Sequence, residues 1–367
     1  LLPELGPTAV DARVEAHLIG ALSDDDGEAA TQAALALGEL GGRASLAPLF
    51  RALERDEASA HAAATALGRL GSRHYDEVRI LLSSRGLGGS DAPHLCRVLG
   101  ACGRQADAPA LKAALGAESP AIRRAAAEAL AHLPLASGSE VVDALLFALA
   151  DESAKVRAAA AHALGAHVQA PFGPALDALE RAAHDLEVAV RAQAARALGA
   201  LARRAILDEK TAGAGAARAR PLAVLRRLAD APEPVAAVPA LEALGALGDP
   251  ADDARLLTAL ESPDAEIVKA AARALGARHG ALSASEARAA LERALTDRRW
   301  DVRRAAALAL GAHGPVAHPL LYARRTVESD PLVLESIDLA LGIAIGHSLG
   351  SALDGGSEGG RPRGARG

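Results

Sequence analysis

Twelve histidines, two cysteines and 46 carboxylates are the residue types from which metal and acid–base chemistry is built, so their spacing decides what they can do. His132, His167, His279, His313 and His347 each follow, by a few residues, a Leu that closes an Ala-rich helical phrase. A helix end presents unpaired carbonyls and partial negative charge, which satisfies an imidazole without any ligand. His162 with His167, and His313 with His318, stand five apart, whereas two ligands on one helical face need a spacing of four. Cys96 and Cys102 are six apart and on a helix project about 120° away from each other, too divergent to bridge or share a metal. No Gly-rich phosphate loop follows a strand and no Ser-centred nucleophile motif is present. The sequence therefore predicts no catalytic residue, no metal and no cofactor.

Two polar patterns do recur at fixed spacing. Asp151 precedes Arg157, Asp185 precedes Arg191, and Asp297 precedes Arg303, each by six residues. Each Asp is placed to accept hydrogen bonds from the orphan N–H groups at the start of a helix, and each Arg, one turn in, can reach the Asp of its own or a neighbouring repeat. The second pattern is the cluster Arg298, Arg299, Trp300, Asp301 and Arg304, which contains the single tryptophan of the chain. Trp300 can stack on a base or a guanidinium, or pack over the adjacent repeat.

The elements that must carry these residues are repeated helix pairs. Ala-rich phrases ending at or near Leu-Gly fall at Leu37, Leu67, Leu99, Leu130, Leu164, Leu198, Leu244, Leu275, Leu310 and Leu341, with steps of 30 to 35 residues and one of 46. A fixed period of this size is the mark of a stacked-repeat protein. Within residues 145–165, 179–199 and 291–311, a first amphipathic helix leads through a polar turn into a second helix with apolar positions three and four apart. The Gly after each Leu suits a left-handed C-terminal cap. The long step contains residues 203–220, read as an inserted loop, and the Gly-rich segment 351–367 is expected to be disordered.

The turn Asp, the Val-Arg step and the AAxALG ending together resemble the HEAT repeat family over residues 10–349. Arg is missing where Ala30, Ala60 and Ala237 take its place, which leaves gaps in an Asp–Arg ladder. The resemblance implies an all-α, right-handed α-solenoid of about ten helix pairs whose second helices line a concave face. Counted back from each Leu, the exposed columns of that face carry Arg97, His162, Arg196 and Arg273 two residues before it, and Arg124, Lys269 and Arg304 six before it. With Trp300 these form the expected partner-binding surface. Deoxyhypusine hydroxylases of HEAT-like build use His-Glu dipeptides for iron, and this chain has none. Alkylpurine glycosylases of similar build use Trp, Asp and Arg in a basic groove, for which the Trp300 cluster is the nearest counterpart. No motif marks a phycobilin lyase subunit.

Composition narrows the rest. A net charge of -6 disfavours a surface devoted to phosphates, although residues 1–60 carry a net of -7 and residues 266–325 a net of +6. No run is apolar enough for a membrane span or a signal peptide, and buried free thiols fit a reducing, cytoplasmic setting. The absence of any Met, even at position 1, implies a start inside a longer reading frame or after processing, which leaves a removed targeting signal open. The preferred reading is a non-enzymatic scaffold binding a protein partner with an acidic segment. Nucleic-acid binding or glycosylase-like chemistry through the basic C-terminal repeats, and a lyase-type subunit, are the alternatives.

Overall fold

The computed structural model describes residues 7–134, 140–167, 173–207, 214–278 and 284–343. They form twenty α-helices, and the chain divides into two compact units, one ending at Ala243 and one beginning at Leu244. The first unit runs through α1 (Pro7–Ala21), α2 (Gly27–Leu40), α3 (Leu46–Ala52), α4 (Glu57–Gly71), α5 (Tyr75–Arg85), α6 (Ala92–Cys102), α7 (Ala108–Ala114), α8 (Pro120–His132), α9 (Glu140–Ala148), α10 (Ala154–His167), α11 (Gly173–Ala182), α12 (Val188–Leu207) and α13 (Ala214–Ala229) into most of α14 (Pro234–Leu247). The second holds α15 (Asp253–Ala259), α16 (Ala265–Gly276), α17 (Ala284–Ala294), α18 (Trp300–Ala312), α19 (His318–Arg325) and α20 (Pro331–Ala340).

Even-numbered helices are the second helices of the pairs, and they stack on one another: α2, α4, α6, α8, α10 and α12 in the first unit, and α16, α18 and α20 in the second. Odd-numbered helices pack outside them. The core is Ala and Leu. Leu37, Leu67, Leu130, Leu164, Leu198, Leu275 and Leu310 are fully buried, flanked by buried alanines at three and four residues before each. Alanine's small side chain lets adjacent helices approach closely, which a Leu-only seam would prevent.

The recurrent Gly plays a different part from the one expected of it. Gly38, Gly68, Gly100, Gly165, Gly199, Gly245, Gly276 and Gly311 lie inside their helices, and among the described residues only Gly86, Gly248, Gly314 and Gly342 adopt positive φ. A Cβ on Gly165 would lie 2.8 Å from the Ala197 Cα, and one on Gly276 would lie 2.8 Å from the Ala309 Cα. The Gly is where the next second helix comes closest, so the missing Cβ sets the spacing of the stack. Gly342, at φ 71° after Leu341, is the one member of the series that ends its helix as a cap.

The segment read as an inserted loop is largely helical. Residues 203–207 extend α12 and residues 214–220 open α13, and Arg220 of α13 pairs with Asp177 at 2.7 Å and Glu180 at 2.6 Å on α11. The long step is thus accommodated by lengthened helices. Residues 208–213, the segment 351–367, His279 and His347 lie outside the described residues. Cys96 and Cys102 are free and both on α6, and burial pushes their thiols up to about 12 and about 11.

Candidate functional site

Each Asp–Arg pattern resolves into a relay between repeats. The Arg157 guanidinium does not take the carboxylate six residues before it. Its Nη1 donates to the main-chain oxygens of Asp151 and Glu152 at 2.9 and 3.1 Å, while Nε and Nη2 donate to the Asp185 carboxylate of the next repeat at 2.7 and 2.8 Å. Arg191 donates to the carbonyls of Asp185 and Leu186 in the same way and pairs forward with Glu233 at 3.2 Å. Arg303 binds the carbonyls of Asp297 and Arg298 and forks onto Glu328 at 2.8 and 2.9 Å. Arg123 repeats the arrangement, holding the carbonyls of Ala117 and Glu118 and the Asp151 carboxylate at 2.7 and 3.0 Å.

The carboxylates complete the turn. Asp151, Asp185 and Asp297 accept from the N–H two residues on, at 2.8, 2.9 and 2.8 Å. The Arg157 fork holds the Asp185 carboxyl below the usual range. The Arg303 fork, helped by the N–H groups of Asp330 and Ser329 and by Arg324, holds Glu328 down to about 2. These pairs are enclosed: the Arg303 and Glu328 side chains are 12% and 1% exposed. Fixed turns follow, and they aim the second helices.

What the relay positions is the exposed face of those helices, and each unit has a groove there. In the first unit a groove of about 1210 Å³ opens across α8, α10 and α12, with Arg124, His162 and Arg196 on its walls together with Lys155, Glu128 and Gln193. Arg124 Nε stands 3.5 Å from Glu128. Arg196 and Lys155 are exposed. The His162 ring meets His132 edge-on at 6.2 Å between centroids. Surrounding groove walls push the His162 pKa below its ordinary value, and His132 and Arg196 push the same way.

In the second unit a groove of about 750 Å³ lies between α16 and α18, bringing Lys269, Arg273, Trp300 and Arg304 together with Asp301 and Leu308. Its floor is small: Gly276, Ala305 and Ala309. Lys269 is held by Asp301 and Glu266, both at 2.7 Å, and Arg304 Nε donates to Ser336 Oγ at 3.0 Å. Trp300 is 42% exposed and Leu308 38%. Arg97 lines neither groove; it lies on α6 with Nη1 at 3.0 Å from the Nδ1 of buried His94.

Lys155, Gln193 and Leu308 were not singled out from the sequence. For Leu308 the signal was present, since it occupies the same position two residues before its Leu as Arg196 and Arg273 do in their repeats. A search for charge alone passes over it. His167, expected to be satisfied at a helix end, has its Nε2 2.5 Å from the Leu130 carbonyl oxygen. Among the described residues no group of three or more His, Cys, Asp or Glu side chains is placed to hold a metal ion, and no helix is long and apolar enough to cross a membrane.

The sequence profile of the family described as HEAT repeats matches residues 93–165 and 254–342. No curated protein matches the chain. Among solved structures, Kap95p in a structure concerned with RanGDP is 14% identical, covers 90% of this chain and 48% of its own, and superposes with a TM-score of 0.50. Kap95 in complex with Nup1 is 14% identical over 92% of this chain and 50% of its own, with a TM-score of 0.48. An engineered protein is 22% identical over 90% of this chain and 98% of its own, with a TM-score of 0.41. The chain spans about half the length of the Kap95 chains, and at 14% identity the likeness to the first of them is one of fold.

Proposed function

Because the chain carries the repeats of the HEAT family, we propose that it is a non-enzymatic scaffold that holds a protein partner along the exposed face of its second helices, the partner presenting an acidic segment. The observation that carries this reading is the pair of open grooves, one per unit, each walled by cations at repeat-register positions. Exposed Arg and Lys at a groove rim steer and register an acidic partner more than they add raw affinity. The apolar floor between them supplies the contact area. Nucleic acid is the weaker fit, since Lys269 is already engaged by two carboxylates and the net charge is -6, while phosphate binding requires many uncommitted cations.

Photo-crosslinking in the native cell tests the reading. A photoreactive residue replaces Lys155 or Arg196 in the first groove or Arg273 in the second, with Arg181 and Arg293 on the outer helices as controls. The expected result is one discrete protein adduct from groove positions, lost from the Lys155 probe when Arg196→Glu is added, and none from the outer helices. Equal adducts from both faces, or adducts to nucleic acid, would overturn it.

A further inference from the structure

The outer helices of the first unit are not evenly spaced. α3 packs on α5 and α7 packs on α9, but between α5 and α7 lies a slot of about 510 Å³. Its walls are hydrocarbon: Leu82 of α5 on one side, Ala110, Ala113 and Ala117 on the other, and Leu99 of α6 beneath. Gly86, at φ 72°, ends α5 and turns the chain so that half-buried Leu87 stands at one end of the slot. From there back to Arg79 the slot follows α5 for about 10 Å at the helical rise. The Arg79 end is polar and electrically balanced. Buried Asp107 takes two hydrogen bonds on Oδ2, from the Tyr75 hydroxyl at 2.6 Å and the Arg104 main-chain N–H at 2.8 Å. Its Oδ1 faces the Nε of exposed Arg79 at 3.4 Å, an ion pair longer than an ordinary hydrogen bond. Ser83, the other polar side chain in the slot, donates its hydroxyl to the Ile80 carbonyl at 2.9 Å.

We propose that this slot binds a small uncharged amphiphile, an aliphatic chain carrying one hydroxyl. The hydroxyl accepts from the Arg79 guanidinium and donates to Asp107 Oδ1, and the chain lies between Leu82 and the alanines, over Leu99. The ion pair selects the head group. A carboxylate is repelled by Asp107 and an ammonium by Arg79, whereas a hydroxyl is donor and acceptor at once and satisfies both. The walls select the rest. Helix side chains of Ala and Leu present no main-chain ladder, so the N–H and C=O groups of a peptide would enter the slot without partners, a cost that a bare hydrocarbon does not meet. The volume lies in the range of small-ligand pockets. This site shares no residue with the second-helix grooves and goes beyond the scaffold reading above.

Isothermal titration calorimetry of the full chain compares 1-octanol with octanoate, octylammonium and a capped Leu-Leu dipeptide. One saturable site is expected for 1-octanol, about tenfold tighter than for either charged analogue or the dipeptide. Ala110 and Ala113 are exposed, so Ala113→Phe fills the slot from its mouth without entering the core, and 1-octanol binding should fall about tenfold or more. Arg79→Met tests the head group. It leaves Asp107 facing the slot alone, so 1-octanol should weaken about tenfold and octylammonium become the preferred ligand. Circular dichroism verifies that each variant is folded, and Arg79→Met, at an exposed position, is the deciding one. No saturable heat with 1-octanol, undiminished binding in Ala113→Phe, a charged analogue or the dipeptide binding as tightly to the parent, or an unchanged head-group preference in Arg79→Met overturns the proposal. Adducts from Lys155 or Arg196 report on the grooves separately, so such a failure would leave the scaffold function standing.

Discussion

In the first unit, the turns from α8 to α14 are tied by three successive arginines, Arg123, Arg157 and Arg191, each holding its own turn by the carbonyls and the next by a carboxylate. In the second unit the corresponding place on α16 is taken by buried Val268. Lys269, one residue later, reaches forward to Asp301 instead, and Asp297 is held from within its own turn by Arg299 at 2.9 Å. The relay resumes with Arg303 and Glu328. A lysine makes a point contact where an arginine makes a planar fork that can serve two partners at once. The same stacking register is therefore built with a relay of successive arginines between α8 and α14 and a partly substituted relay in the second unit. The register is set by the Gly–Ala approaches, which occur in both units, and the polar relay orients the turns on top of it.

The largest expected effect is at the forked relay. Arg157→Ala removes the partner of Asp185, whose side chain is 13% exposed, and leaves two turn carbonyls without their donor. A loss of about 3 kcal/mol is expected, because the uncompensated carboxylate stays enclosed. Urea unfolding followed by hydrogen exchange of the α10 and α12 amides would check it, and a loss no larger than that of Lys269→Ala would erase the distinction between the regions.

Acid sharpens the comparison at the last rung. Glu328 sits at about 2 in the folded chain against an ordinary value of 4.5. Its contribution is thus fully present above about pH 4.5 and is lost as pH falls towards 2, amounting to about 2 to 3 kcal/mol. Urea midpoints between pH 5.5 and about 2.5 should fall less steeply in Arg303→Met than in the parent. Parallel slopes would show that Glu328 is not held by that guanidinium.

The smallest effect is expected from Lys269→Ala, at most about 1 kcal/mol, since its partners Asp301 and Glu266 remain 29% and 61% exposed and are readily hydrated. A midpoint shift comparable to that of Arg157→Ala would mean that the substituted rung is as structural as the forked ones.

Local periodicity is written into neighbouring residues, and so the sequence by itself determined the helix pairs, their number, the Ala–Leu core and the columns of cations on the second helices. Arg124, His162, Arg196, Lys269, Arg273 and Arg304 could be placed in columns of the second helices by counting from a Leu, because 3.6 residues per turn converts spacing into direction. Contacts about 28 residues apart have no such rule. That Arg157 would bypass Asp151 for Asp185, that the Gly residues before Gly342 would meet the next helix's Ala instead of ending their own, and that residues 203–207 and 214–220 would continue helices were settled only when neighbouring repeats came together. Packing distance decided these points: a guanidinium reaches whichever carboxylate the stack brings within 3 Å, and a helix ends only where the next one leaves it room to turn.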